Sequence, residues 1–140
     1  VMVAMNLMYS VSAYPFGKLA DSMSHARLLA IGLVVLIASD VVLAHGNHWP
    51  VVLLGVALWG LHMGLTQGLL ATMVAHSTPP DLKGTAFGFF NLMSGLAMLV
   101  ASVVAGELWD RLGAGATFYT GARFCLLTLC ALAFGRELGQ

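Results

Sequence analysis

Long uncharged stretches alternate with short segments that carry the charges. The uncharged runs cover residues 1–17, 28–39, 41–80, 84–106, 112–122 and 124–135. A helix needs about 20 apolar residues to cross the hydrocarbon core of a bilayer. The run 41–80 is too long for one such helix, and the sequences around Pro50 and Pro79-Pro80 predict the breaks. The pattern therefore predicts five membrane-spanning helices, at 1–17, 28–45, 50–76, 84–108 and 115–135.

The composition supports lipid as the surrounding solvent. Of the 140 residues, 59% are hydrophobic and only 9% are charged, whereas about 25% are charged in an ordinary globular chain. We therefore expect an all-α fold, a bundle of helices that passes several times through a membrane. The formal net charge of zero provides no basic surface for a nucleic acid, so that partner is not expected. The chain opens with Val1 and no signal peptide pattern follows, so we expect a piece of a longer protein.

The charges between the predicted helices are unevenly distributed. Alternate crossings put four basic residues on one side of the membrane, Lys18, Arg27, Lys83 and Arg136, and leave only Arg111 on the other. The positive-inside rule then places the first side and the C-terminus in the cytoplasm of a cell, at its inner membrane. Trp49 and Trp109 fall at the outer interface, where indole rings are favoured.

Small residues are concentrated on one side of two predicted helices. Gly84 and Gly88 begin such a face on the fourth helix, which we expect to pack against protein. Gly60, Gly64 and Gly68 make two overlapping GxxxG steps on the third helix. Such a ridge lets the backbone of a neighbouring helix come close.

A second group of residues is polar or aromatic and lies within the predicted spans. Asn6, His62, Thr66 and Ser94 fall near mid-bilayer, where hydrocarbon offers no hydrogen bonds. Such groups face either a water-filled cavity or a neighbouring helix, where each hydrogen bond contributes about 1 kcal/mol. The candidates for lining a cavity that binds a small-molecule substrate are Asn6, Ser10, Trp59, His62, Thr66, Asn91 and Ser94.

Two charges lie inside predicted spans. Asp40 and Arg123 each cost at least ~2.5 kcal/mol near a helix centre unless the charge is relieved. Both fall in the outer leaflet, so we expect them to form a pair between the second and fifth helices. The alternatives are that Arg123 extends to the headgroups and that Asp40 relays protons.

Two loop motifs occur in register. The first is Gly17-Lys18-Leu19-Ala20-Asp21, followed by Arg27; the second runs from Pro80 to Gly88 and contains Lys83-Gly84-Thr85-Ala86. The first resembles the G-x-L-A-D signature loop of the major facilitator superfamily, with Ser24, His25 and Ala26 at positions where that family usually has glycine and arginine. The second, with Ala105-Gly106 and Leu108-Trp109-Asp110 after it, is similar to the eleventh helix of bacterial members.

The resemblance implies a fold of twelve helices in two halves that rock about a central site. This chain would supply helices eight to twelve, and its partner would be the missing N-terminal half of the same protein. The implied function is secondary transport of a small solute by alternating access, coupled to protons. Gly17, Asp21 and Arg27 would form a conformational-latch loop, meaning a loop whose contacts hold one conformation and break in another; a plain turn is the alternative.

Other functions find less support in the sequence. An enzyme would need paired carboxylates, a nucleophile with its base or a metal cluster at one depth, and Asp40 is the only acid well inside the predicted membrane. His62 and His76 are 14 residues apart on one predicted helix, but no second helix carries a matching pair for haem. We therefore expect no metal and no cofactor. A non-transporting scaffold or receptor built on the same bundle stays an alternative.

Overall fold

The chain folds into helices joined by short connections. The computed structural model describes residues 1–137, and the side chains at 19–21 and 136–137 lie outside that description. The helices are α1 (Met2–Ser22), α2 (His25–Ala44), α3 (Trp49–His76), a 3₁₀ turn (Pro80–Leu82) and α4 (Lys83–Glu137). No strand occurs within residues 1–137, so the predicted all-α class is confirmed for this part of the chain.

The ends of the first helices depart from the predicted spans. α1 continues through Gly17 to Ser22, because nothing at Lys18 breaks a helix and Gly17 retains helical backbone. The Lys18 ammonium lies 6.0 Å from the centre of the Tyr14 ring. The lysine side chain thus extends along the surface of the helix over an aromatic ring. The connection to α2 is therefore Met23-Ser24, far shorter than the predicted loop 18–27.

Gly113 interrupts the long helix α4. Its φ of 83° and ψ of 173° are not helical, and glycine alone adopts such angles without a large steric cost. The predicted spans 84–108 and 115–135 lie on the two sides of this residue. A predicted loop between these spans is thus reduced to a single non-helical residue, Gly113.

Within residues 1–137, three helices are long and apolar enough to cross a membrane: His25–Ala44, Trp49–His76 and Pro80–Gly135. This differs from the predicted five. α1 is not among the three, and the fourth and fifth predicted spans are counted as one because they form one nearly continuous helix. The structure thus supports a membrane-embedded helical protein with at least three apolar spans in residues 1–137.

α3 occupies the middle of the bundle. It packs against α1 on one side and against α2 on the other, and α2 also packs against the part of α4 that follows Gly113. Leu28, Leu65 and Leu69 form the buried core, with Phe16 and Val35 against it. This arrangement places the end of α1, the start of α2 and the end of α3 together.

Residues 83–112 of α4 lie largely outside this packing. Most are exposed, and a Cβ atom added at Gly84, Gly88, Gly95 or Gly106 would meet nothing within 4 Å. The four glycines of the small-residue face predicted on this segment therefore have no close neighbour among residues 1–137.

Candidate functional site

Two glycines of α3 face α1. A Cβ added at Gly60 would lie 2.5 Å from the Met5 carbonyl oxygen, and one at Gly64 would collide with the Ser12 hydroxyl. A Cβ added at Gly68 would meet nothing within 4 Å. Two of the three glycines on the predicted ridge thus lie where another backbone comes close.

The polar residues on the opposite side of α3 face α2. His62 Nδ1 lies 2.8 Å from the Gly32 carbonyl oxygen, so its N–H donates across the interface. Thr66 donates to the His62 carbonyl oxygen at 2.9 Å, and its methyl group packs against Gly32. In this structure both side chains serve contact between helices, the alternative to lining a cavity.

The other predicted cavity residues are dispersed. Asn6 and Ser10 line a shallow groove on the exposed side of α1, where Asn6 donates to the Met2 carbonyl oxygen at 2.9 Å. Trp59 is 45% exposed, and Asn91 and Ser94 belong to the segment before Gly113. The structure therefore does not bring the seven candidates together around one space.

Asp40 and Arg123 do not meet. The Asp40 carboxylate lies against Gly121, where a Cβ would come within 2.8 Å of its Oδ2 atom, while Arg123 is exposed. In the part of the chain that the structure describes, no ion pair joins the two residues. Positions 121 and 123 differ by about 200° around a helix, so a face that brings Gly121 to Asp40 turns Arg123 away. The predicted pair is therefore not formed in this structure.

A cavity of about 370 Å³ lies between α1 and α3, at the end of the bundle where α2 begins. The residues around it are Tyr9, Ala13, Phe16, Gly17, His25, Gly64, Leu65, Gly68, Leu69, Thr72 and His76. Its volume falls in the range of about 300–1,000 Å³ that is typical of small-molecule sites. Its lining is mainly apolar with a few polar groups, as such sites require.

Two histidines form the polar end of this cavity. His25 begins α2 and His76 ends α3, and their ring centres are 6.2 Å apart at an interplanar angle of 58°. The short connection from α1 and the antiparallel run of α2 and α3 bring them together. The sequence interpretation treated them separately, and a comparison of the helix ends on one side of the membrane would have revealed the pair.

The residues of the conformational-latch loop adjoin the same end. Gly17 lines the cavity, and Arg27 lies exposed in the first turn of α2. The side chain of Asp21 lies outside the described residues. Because Gly17 and Asp21 belong to α1, the three residues occupy two helices rather than one loop.

The metal-ligating residue types do not cluster. Within residues 1–137 no group of three or more His, Cys, Asp or Glu side chains could hold a metal ion. His25 and His76 provide two imidazoles, fewer than the four ligands of a structural zinc site.

Comparison with known proteins identifies the family. The model of the Major Facilitator Superfamily matches residues 1–139, and the chain belongs to this family. It is therefore part of a membrane transporter family, which agrees with its apolar helices and confirms the resemblance of its loop motifs.

Several relatives are named as transporters. The chain is 30% identical to the uncharacterized MFS-type transporter MJ1317 of Methanocaldococcus jannaschii over 129 residues, which are 92% of this chain and 32% of that protein. It is 32% identical to the lysosomal dipeptide transporter MFSD1 of Bos taurus over 101 residues, 70% of this chain and 21% of that protein. It is 24% identical to the quinolone resistance protein NorA of Staphylococcus aureus over 93 residues, 66% of this chain and 24% of that protein. The chain thus spans about a third or less of each of these relatives.

Proposed function

We propose that this chain is part of a secondary active transporter that moves a small solute across a membrane by alternating access, coupled to protons. The observation that carries the proposal is the family match over residues 1–139. The cavity between α1 and α3, which is of a size to hold a small molecule, supports it.

The proposed placement is in the second half of a twelve-helix carrier, as helices eight to twelve. α1, α2 and α3 would be three of these helices, and the parts of α4 before and after Gly113 would be the other two. The chain covers 32% of one relative and 21% of another, and the two loop motifs in register, at 17–21 and 80–88, support the placement in the second half. The missing N-terminal half would then complete the transport pathway.

The proposed orientation puts the cavity end at the cytoplasm of the inner membrane. Lys18 lies in the last turns of α1, Arg27 in the first turn of α2, and Lys83 begins α4. The first two lie near the end where His25 meets His76. Such a concentration of basic residues is typical of the cytoplasmic side. The C-terminus would lie on that side as well.

Alternating access requires parts that move as units. The contacts of Gly60 and Gly64 with α1, and of Gly32 with Thr66, leave no space between α1, α2 and α3 in their middle. These three helices would therefore rock together. Gly17 and Arg27, near the end where His25 meets His76, would act in the conformational latch.

Proton coupling needs titratable groups within the helices. Asp40 in α2 and His62 in α3 are such groups among the described residues and are the candidates to test. A proton that binds to Asp40 would remove a negative charge, and one that binds to His62 would add a positive charge. Both changes would occur in a low-dielectric region, where charge is costly.

The test is solute flux in liposomes that contain the protein in its full natural length. Dipeptides and quinolones are the first solutes to try, because the names of two relatives mention them. We expect uptake or release that exceeds that of empty liposomes and grows with an imposed pH gradient. If flux is seen without any effect of the gradient, proton coupling is contradicted; if no solute in a wide panel moves, the scaffold alternative is favoured.

A further inference from the structure

The polar groups around the α1–α3 cavity are all able to donate hydrogen bonds. Tyr9 and Thr72 carry hydroxyls and His25 and His76 carry imidazoles, and none of the described side chains that line the cavity is a carboxylate. The Thr72 hydroxyl already donates to the Gly68 carbonyl oxygen at 2.8 Å. The donors that remain are the Tyr9 hydroxyl and the two imidazoles.

We infer that the cavity binds the carboxylate end of a small, mainly apolar solute, and that His25 and His76 together hold that end. This inference rests on the proposed transport function and names the chemical class of the solute. Several donors at one end of an apolar cavity can hold an acceptor group, and a carboxylate accepts hydrogen bonds at both of its oxygens.

The two rings can bind one carboxylate from the side. Their centres are 6.2 Å apart, too close for a carboxylate in line between facing nitrogens, but a carboxylate beside the pair can accept from one N–H of each imidazole at a different oxygen, at about 2.7–2.9 Å. A neutral imidazole supplies one N–H and a protonated one supplies two, so the contact does not require both rings to be charged.

The remainder of the cavity suits an apolar body. Ala13, Phe16, Leu65 and Leu69 line it below the histidines, and Leu65 and Leu69 are part of the buried core. The open space above Gly68, where an added Cβ would meet nothing within 4 Å, leaves room for a ring. A volume of about 370 Å³ accommodates a body of the size of a naphthalene.

A solute in this site would contact three helices at once. Tyr9 and Phe16 belong to α1, His25 to α2, and Leu69 and His76 to α3. Because these helices pack closely in their middle, the bound solute would move with them as one unit.

The experiment measures binding of naphthylacetate, whose fluorescence reports its environment, to the full-length protein in liposomes of zwitterionic lipid. Naphthylacetamide has the same shape without the charge and serves as the matched ligand. We expect the acid to bind more tightly than the amide, and His25→Gln or His76→Gln to weaken binding of the acid about tenfold or more, since hydrogen bonds to a charged group are among the stronger ones. His48→Gln, an exposed histidine at the opposite end of α3, should leave binding unchanged.

Three outcomes overturn the inference. The first is equal binding of the acid and the amide, and the second is an equal effect of His48→Gln and the two cavity variants. The third is that acid binding is lost only when anionic lipid is added, which would assign the site to a lipid headgroup.

Leu69→Trp provides a second test, because the larger side chain fills the cavity from the apolar side. It should weaken binding of both ligands equally, so that the remaining binding still favours the acid. The melting temperature of each variant shows that it is folded.

Binding and transport can fail separately. Acid binding that depends on His25 and His76, without any flux of solute, would support the site and contradict the proposed transport. Flux of a solute that is unaffected by either histidine variant would support transport and contradict the site.

Discussion

The Tyr119 hydroxyl lies 3.0 Å from His45 Nε2 and joins the end of α2 to the part of α4 that follows Gly113. The other ring nitrogen, Nδ1, is 2.9 Å from the Val41 carbonyl oxygen and donates to it. Nε2 is therefore the acceptor for the tyrosine O–H, and the longer distance of 3.3 Å from the hydroxyl to Nδ1 belongs to a nitrogen that is already engaged. The two rings also meet edge to face, with centres 5.7 Å apart.

The first prediction concerns this contact. Tyr119→Phe removes the hydrogen bond and keeps the ring, so we expect a loss of stability of roughly 0.5–1 kcal/mol, at the low end because the pair is exposed. The measurement is the thermal unfolding midpoint in detergent. Tyr14→Phe, on the exposed surface of α1, is the control; an equal shift in both variants would show that the His45 contact does not contribute.

The second prediction concerns the contact between Asp40 and Gly121. Gly121→Ala places a methyl group 2.8 Å from the carboxylate oxygen, so α2 and α4 must separate slightly. We expect a loss of about 1–3 kcal/mol, the usual cost of overpacking, measured by thermal unfolding.

A double-mutant cycle makes this second test specific. Asp40→Ala removes the carboxylate that the new methyl group meets, so Gly121→Ala should cost less in that background. Gly135→Ala, where nothing lies within 4 Å, should be tolerated. Strict additivity of Asp40→Ala and Gly121→Ala would contradict the contact.

The third prediction compares glycines of α3. Gly60→Ala brings a methyl group 2.5 Å from a backbone oxygen of Met5, which cannot rotate away. We expect it to reduce the yield of folded protein and the unfolding midpoint far more than Gly84→Ala, whose methyl group has open space. Similar behaviour of the two variants would contradict the close packing of α1 on α3.

The fourth prediction concerns the backbone at Gly113. Because its φ is 83°, Gly113→Ala should cost about 1–3 kcal/mol or force α4 to run on as an uninterrupted helix. Gly115→Ala is the control, since its new methyl group would make only an ordinary contact, 3.6 Å from the Ala44 carbonyl oxygen. Equal unfolding midpoints for Gly113→Ala and the native protein would show that the break is not fixed by this residue.

The sequence predicts well where the helices lie along the chain. It predicts less well which side of each helix faces a given neighbour. Uncharged runs and prolines determine where α2 and α3 lie, because apolar length and helix-breaking residues act locally. The break at Gly113 falls within the predicted loop 109–114, but a single residue suffices there, which hydropathy alone does not reveal. The extension of α1 beyond Gly17 has the same cause: a charge such as Lys18 marks the end of an apolar run and not the end of a helix.

The candidate site was the less predictable part for a physical reason. The sequence places His62 and Thr66 on the side of α3 opposite the glycines, but only the packing of α2 decides that this side meets Gly32 instead of water. Likewise Asp40 lies near Arg123 in depth, and the rotation of α4 decides that Gly121 faces it. His25 and His76 are 51 positions apart in the sequence, and only the antiparallel run of α2 and α3 brings them to one cavity.

The central claim is that the cavity beside His25 and His76 opens to water and holds a solute during transport. The most direct measurement is the labelling of Thr72→Cys by a membrane-impermeant maleimide, in the full-length protein with Cys125 and Cys130 replaced by alanine. Thr72 lines the cavity, whereas Ser39 is fully buried, so Ser39→Cys is the control. We predict that Thr72→Cys reacts from the cytoplasmic side and is protected by naphthylacetate, while Ser39→Cys stays unreactive. Absence of labelling at Thr72→Cys from either side, with or without a pH gradient, would contradict the account.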